Sequence, residues 1–142
     1  MRALRRPSAI LPSLLLVAAA GVLAGCHAPP PPAEEITIWQ RRGAWMGRGL
    51  TQTEPFIGDT GFLRLTWEAH GAPNAGAFKI TVHSDVSGRP LLVAVDRRGP
   101  GRDVTYVTED PRAFFLVIES EDLDWSVEVA EGLSGTRTLP RP

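Results

Sequence analysis

The segment Phe62-Leu-Arg-Leu-Thr-Trp-Glu-Ala69 alternates apolar and polar residues along its length. Leu63, Leu65 and Trp67 share one side of this alternation with Ala69, and the residues between them are polar or charged. Because successive side chains of a β-strand point to opposite faces, the two-residue period predicts a strand with one buried face.

Short runs of similar composition lie before and after this segment. They are Ile36–Trp39, Phe78–Val82, Leu91–Asp96, Val104–Thr108, Phe114–Ile118 and Trp125–Val129. The runs 91–96 and 114–118 are apolar at nearly every position, which predicts central strands covered on both faces. Since Gly, Pro, Asp and Asn separate the runs, we predict an all-β sandwich or barrel of seven or eight strands over residues 36–131.

The aromatic residues and glycines of these runs form a recognisable pattern. Its parts are Trp45-x-Gly47-x-Gly49, Leu63-x-Leu65-x-Trp67, Gly76-x-Phe78-x-Ile80-x-Val82 and Trp125-x-Val127-x-Val129. The pattern resembles that of CUB-like and prepeptidase-like extracellular modules. This resemblance implies a single antiparallel β-sandwich with a jelly-roll arrangement of its strands.

The first 26 residues have the composition of an export signal. Basic residues near the start are followed by an apolar stretch, Ile10–Leu23, and then by Leu23-Ala24-Gly25-Cys26, which contains the only cysteine. This arrangement is typical of secretory signals, and its end resembles the lipobox of bacterial lipoproteins. The resemblance implies that residues 1–25 are a signal peptide and that Cys26 receives lipid. In that family the thiol carries a diacylglyceryl group, and the new amino terminus is usually acylated as well.

The residues after Cys26 bear on location and reach. His27 stands where an aspartate is associated with retention in the inner membrane, so the lipoprotein resemblance favours an outer membrane facing the periplasm, if the cell has one. Residues 26–35 contain four consecutive prolines, which favour an extended tether. Residues 132–142 lack apolar periodicity, so we predict a flexible tail there.

Composition limits the range of partners. Without residues 1–25 the chain keeps 12 basic and 16 acidic residues, a formal net charge of −4. No basic stripe of the kind that binds nucleic acid is visible. Nucleic acid is therefore not an expected partner. The lipoprotein resemblance implies membrane lipid as a partner, through acylated Cys26, and an envelope protein or glycan is expected whose identity the sequence leaves open.

An acidic cluster offers one candidate site, formed by Glu119, Glu121, Asp122 and Asp124. Clustered carboxylates are typical calcium ligands, because Ca²⁺ takes six to eight oxygen atoms. The spacing matches no defined calcium-binding loop, so a solvated acidic turn is the competing interpretation. No other cofactor is predicted.

The four tryptophans divide into two groups. Trp67 and Trp125 fall in register with apolar positions, which predicts core packing, and Gly47 leaves room for a close neighbour. Trp39 and Trp45 lie near Arg41, Arg42 and Gly43 and are candidates for stacking on a sugar ring, and core or membrane-proximal packing is the competing interpretation.

The segment His83-Ser84-Asp85 holds three residue types found in catalytic triads. Adjacent strand residues face opposite ways, whereas each triad member must reach the next one. We therefore predict no enzyme. The expected function is a lipid-anchored, non-catalytic binding module of the cell envelope, and the alternatives are a carbohydrate- or peptidoglycan-binding module and a calcium-dependent domain.

Overall fold

The computed structural model describes residues 30–140, so the predicted signal peptide and Cys26 lie outside the described part of the chain. Between residues 30 and 140 no helix is long and apolar enough to cross a membrane. Nine β-strands account for most of these residues. They are β1 (Ala33–Arg48), β2 (Thr51–Gln52), β3 (Phe56–Gly58), β4 (Phe62–Gly71), β5 (Ala77–Ser84), β6 (Pro90–Arg98), β7 (Gly101–Thr108), β8 (Arg112–Ser120) and β9 (Leu123–Thr138).

The strands form two antiparallel sheets. The front sheet has the order β1-β9-β4-β7, and the back sheet has the order β2-β8-β5-β6, with β3 also pairing with β8. This is the strand order of a jelly roll, in which the chain crosses repeatedly between two facing sheets. The predicted all-β sandwich is confirmed. The strands number nine, because β2 and β3 are too short to show an alternating pattern in the sequence.

The core lies between the inner faces of the two sheets. Leu63, Leu65 and Trp67 of β4 are buried, as the alternation predicted. The Trp67 ring packs against Phe78 of the back sheet, with ring centroids 5.5 Å apart. Trp125 is also buried, so the predicted core role of both tryptophans is confirmed.

The two uniformly apolar runs have different positions in the back sheet. Residues 114–118 belong to β8, which lies inside the sheet, and four of these five residues are buried. Residues 91–96 belong to β6, which lies at the edge, and Val93 is 49% exposed. The prediction of a central strand is thus confirmed for 114–118 and wrong for 91–96, because an apolar run records composition and not the number of neighbouring strands.

The ends of the chain differ from the predicted boundaries. β1 begins at Ala33, inside the predicted tether, and β9 continues to Thr138 through most of the predicted flexible tail. The ladder between β1 and β9 extends to the pair Ala33–Thr138. The ladder between β4 and β9 ends earlier, at the pair Leu63–Glu131. Residues 132–138 therefore pair with β1 alone and form a two-stranded ribbon. The sequence did not reveal this ribbon because backbone pairing requires no alternation of apolar side chains.

Candidate functional site

A trough of about 760 Å³ lies on the front sheet, on the side away from the core. We call it the outer-face trough. Its lining residues that alternate with core positions are Arg41, Ala44 and Met46 of β1, Thr66 and Glu68 of β4, Arg102 and Val104 of β7, and Ser126 and Glu128 of β9.

Strand register explains why the face is concave. Ala44 lies opposite Glu128, which in turn lies opposite Thr66, so two small side chains flank β9 in this row. The next row crosses β9 at Ser126, another small residue. Longer side chains stand at the margins, and Met46 on β1 is 82% exposed. The small side chains of Ala44, Thr66 and Ser126 leave open space around Glu128 on this face.

Charges of both signs line the outer-face trough. Arg41 Nε lies 3.4 Å from a carboxylate oxygen of Glu128 on the β1 side. On the other side Glu68 lies opposite Arg102 in the β4–β7 ladder, and His70 Nε2 lies 3.4 Å from Glu68. These groups are partly or fully exposed, so they remain available to hydrogen-bond a ligand.

An aromatic cluster continues the same face beyond the trough. Phe62 lies 5.2 Å from Trp39 and 6.1 Å from Tyr106, measured between ring centroids. The guanidinium carbon of Arg64 lies 4.5 Å from the centroid of the Trp39 ring. Tyr106 is 58% exposed. It follows Val104 by two residues on β7, so the cluster begins about 7 Å from the trough wall.

The structure separates the two candidate stacking tryptophans. Trp39 belongs to the outer aromatic cluster. Trp45 pairs with the core residue Val127, and its ring packs 5.8 Å from Phe56. The ladder shifts register between Arg41 and Gly43. Residues six apart share a face in a regular strand, but the β-bulge reverses this relation.

Trp45 therefore acts as a packing residue. Its indole nitrogen donates a hydrogen bond of 2.6 Å to Glu54, and a Cβ atom at Gly43 would lie 2.2 Å from its ring. Sequence reasoning placed it beside Trp39 and overlooked Tyr106. The alternation of Val104 and Tyr106 along β7 was the signal that could have pointed to Tyr106.

The acidic cluster is divided among different partners. Arg48 lies 3.2 Å from a carboxylate oxygen of Asp122 and 3.2 Å from one of Asp124. Hydrogen bonds and charge from these two carboxylates raise the pKa of the Arg48 guanidinium. Both acids are thus engaged by a cation of this chain.

The other two acids point to the back sheet. Glu121 accepts a 3.0 Å hydrogen bond from the backbone N–H of Ala77, and Glu119 lies opposite Lys79 in the β5–β8 ladder. Within residues 30–140 no group of three or more His, Cys, Asp or Glu side chains is placed to hold a metal ion. In this structure the four acids have different partners, and calcium binding by them stays a prediction.

One carboxylate that the sequence did not single out is completely buried. Glu131 accepts a 2.7 Å hydrogen bond from Arg42 Nε and further bonds from the backbone and hydroxyl groups of Thr60. Burial alone would raise the pKa of Glu131, but the hydrogen bonds from Thr60 and Arg42 outweigh it and hold the pKa below its ordinary value. This residue joins β1, β9 and the loop that contains Thr60, and it does not line the outer-face trough.

Comparison of the chain with protein-family models, curated proteins and solved structures finds no match. The chemistry of its own surfaces therefore carries the functional argument.

Proposed function

We propose that this protein is a lipid-anchored, non-catalytic binding module of the cell envelope that holds its ligand in the outer-face trough. The observation that carries the proposal is the trough itself. Its volume of about 760 Å³ falls within the range of about 300–1,000 Å³ typical of ligand sites. The trough combines apolar side chains with positively and negatively charged side chains that can form hydrogen bonds.

The lipobox-like segment supports the anchor. Acylated Cys26 would stand seven residues before Ala33, where β1 begins. More than one acyl chain is needed for stable attachment. The lipoprotein resemblance implies a diacylglyceryl group on Cys26 and a further acyl chain on the new amino terminus. By the same resemblance, His27 favours the outer membrane, facing the periplasm.

The positions of the two histidines among residues 30–140 support a non-catalytic role. His83 Nδ1 lies 3.1 Å from the backbone oxygen of Gly88, and its ring stacks on Phe115 of the back sheet. His70 lies on the front sheet, beside Glu68. Ser84, next to His83, is buried, so it is not presented to a substrate.

Substitution of the lipidation site tests the anchor. Cys26→Ser should prevent lipid attachment and move the protein out of the membrane fraction. His27→Asp is the matched control, because it keeps Cys26 and should change only the membrane in which the protein resides. Unchanged membrane partition of Cys26→Ser would refute the anchor.

Site-specific photocrosslinking in intact cells tests the binding surface. A benzophenone amino acid at Val104 lies in the outer-face trough, and the same group at Val93 lies on an exposed part of the back sheet. The proposal predicts an adduct from position 104 and none from position 93. Absence of any adduct from 104, or equal adducts from both positions, contradicts the trough as the binding surface.

A further inference from the structure

We infer that the ligand of the outer-face trough is an uncharged glycan chain, an inference that rests on the proposed function. It commits the binding surface to one class of ligand. Four features support it: the backbone pairing and the mixed charges of the trough, the exposed aromatic ring that adjoins it, and the combined length of the two.

Backbone pairing argues against an extended peptide in the trough. β9 and β4 are both interior strands of the front sheet, so their N–H and C=O groups are used in ladders on both sides. A peptide that adds a strand needs a free sheet edge. The face itself offers side chains alone, so the ligand must be recognised through groups that bond to side chains.

The mixture of charges matches hydroxyl groups. Arg41 and Arg102 are donors, whereas Glu68 and Glu128 in their ionised form accept hydrogen bonds. A sugar hydroxyl can donate to a carboxylate and accept from a guanidinium. An anionic ligand would meet the two carboxylates, and a cationic ligand would meet the two arginines, so an uncharged polyol fits this lining best.

An exposed aromatic ring adjoins the polar lining. Tyr106 is 58% exposed, and its ring is supported by Phe62 in a nearly parallel arrangement, with an interplanar angle of 19°. The C–H-rich face of a pyranose ring packs on such an aromatic face, and the phenolic hydroxyl adds a polar group at the rim. Trp39 of β1 packs beside Tyr106, and the guanidinium of Arg64 from β4 lies over the Trp39 ring, so Tyr106 carries the exposed stacking surface.

The dimensions suit a chain of sugars more than a single one. Arg102, Val104 and Tyr106 follow one another at two-residue spacing along the same face of β7. At about 3.4 Å per residue this row extends roughly 14 Å. The polar lining and the aromatic platform can therefore contact different rings of one glycan.

Binding by the full-length protein in detergent micelles tests the inference. The main probe is chitotetraose, an uncharged chain of N-acetylglucosamine. Lipopolysaccharide, which carries phosphate groups, is the charged comparison. Tyr106→Ala should weaken glycan binding about tenfold or more, because it removes the stacking surface. Tyr106→Phe keeps the ring and should retain most of the affinity.

Ile57→Ala is the matched control, because Ile57 is an exposed apolar residue on β3 of the back sheet. It should bind glycan like the wild type, and circular dichroism should show that all three variants are folded. Binding of chitotetraose that is lost in Tyr106→Ala alone supports the inference, whereas binding of lipopolysaccharide in preference to chitotetraose contradicts an uncharged ligand.

Three results would overturn the inference. If no glycan binds but position 104 crosslinks to a protein in cells, the glycan inference fails and the proposed binding function stands. If a glycan binds equally to Tyr106→Ala and to the wild type, the glycan does not occupy this face. Failure of both glycan binding and crosslinking at 104 refutes the proposed function as well.

Discussion

Arg42 and Glu131 form an ion pair between the β-bulge of β1 and β9, although 89 positions separate them in the chain. The Glu131 side chain is fully buried, and that of Arg42 is 18% exposed. Arg42 also donates a 2.7 Å hydrogen bond to Asp59, in the loop between β3 and β4. Thr60 of the same loop donates to Glu131. One carboxylate thus joins β1, β9 and this loop.

Replacing this carboxylate should destabilise the fold. Glu131→Gln weakens the hydrogen bonds donated to this side chain by Arg42 and Thr60, while Arg42 keeps Asp59 as a partner, at a cost of about 1–3 kcal/mol. We expect Glu131→Gln to lower the free energy of unfolding by about this amount, measured by urea denaturation. Glu128→Gln is the control, because its exposed pair with Arg41 should contribute less than about 1 kcal/mol. Equal effects of the two substitutions would show that the buried pair has no special role.

The same carboxylate predicts how stability depends on pH. The pKa of Glu131 is lower in the folded protein than its ordinary value. The contribution of ionised Glu131 to the free energy of unfolding is therefore complete above the unfolded-state pKa, about 4.3. This contribution is lost as the pH falls through the lower folded-state pKa. The difference in unfolding free energy between wild type and Glu131→Gln should be constant near neutral pH and shrink in acid. A difference that grows as the pH falls from 5 would contradict the lowered pKa.

Gly47 should tolerate no side chain. A Cβ atom at this position would lie 2.9 Å from Cζ2 of the buried Trp125 ring, so Gly47→Ala must displace that ring. Overpacking of this kind costs about 1–3 kcal/mol, which a lowered Tm and altered tryptophan fluorescence would report. Ala44→Ser on the same strand, at an exposed position, should change stability by less than about 0.5 kcal/mol. A Gly47→Ala protein as stable as wild type would show that this contact can relax freely.

The ribbon at the ends of the chain predicts a pattern of hydrogen exchange. Amides of 132–138 that bond to β1 should exchange more slowly than those of the exposed turn 85–89. Truncation after Glu131 should speed exchange in residues 33–39, because these residues lose their strand partner. Mass spectrometry of deuterium uptake measures both effects. Fast exchange throughout 132–138 in the intact chain would instead support the flexible tail that the sequence predicted.

Calcium should leave the Tm unchanged. Arg48 already pairs with Asp122 and Asp124. Glu121 accepts a hydrogen bond from Ala77, and Glu119 lies opposite Lys79. A ligand that binds only the folded state raises stability by mass action, so titration with millimolar calcium, followed by thermal unfolding, is a direct measurement. A Tm that rises steadily with calcium concentration would revive the metal-binding alternative.

The fold was more predictable than the candidate site. The inward residues of β4 were visible from alternation alone, since Leu63, Leu65 and Trp67 needed only the two-residue period of a strand. The sequence also predicted a close neighbour at Gly47, but it did not identify that neighbour as Trp125. The outer-face trough depends on residues of four strands, and no local pattern states which strands become neighbours.

The sequence by itself determined the all-β class, the buried face of β4 and the core positions of Trp67 and Trp125, because hydrophobic periodicity is a local property of the chain. Only the tertiary structure decided that Trp39 and Trp45 lie on opposite faces. A β-bulge changes which way a strand residue points, and its position is defined by pairing with β9. Tertiary structure also brought Tyr106 beside Trp39 and buried Glu131, since both results require contacts between segments distant in sequence.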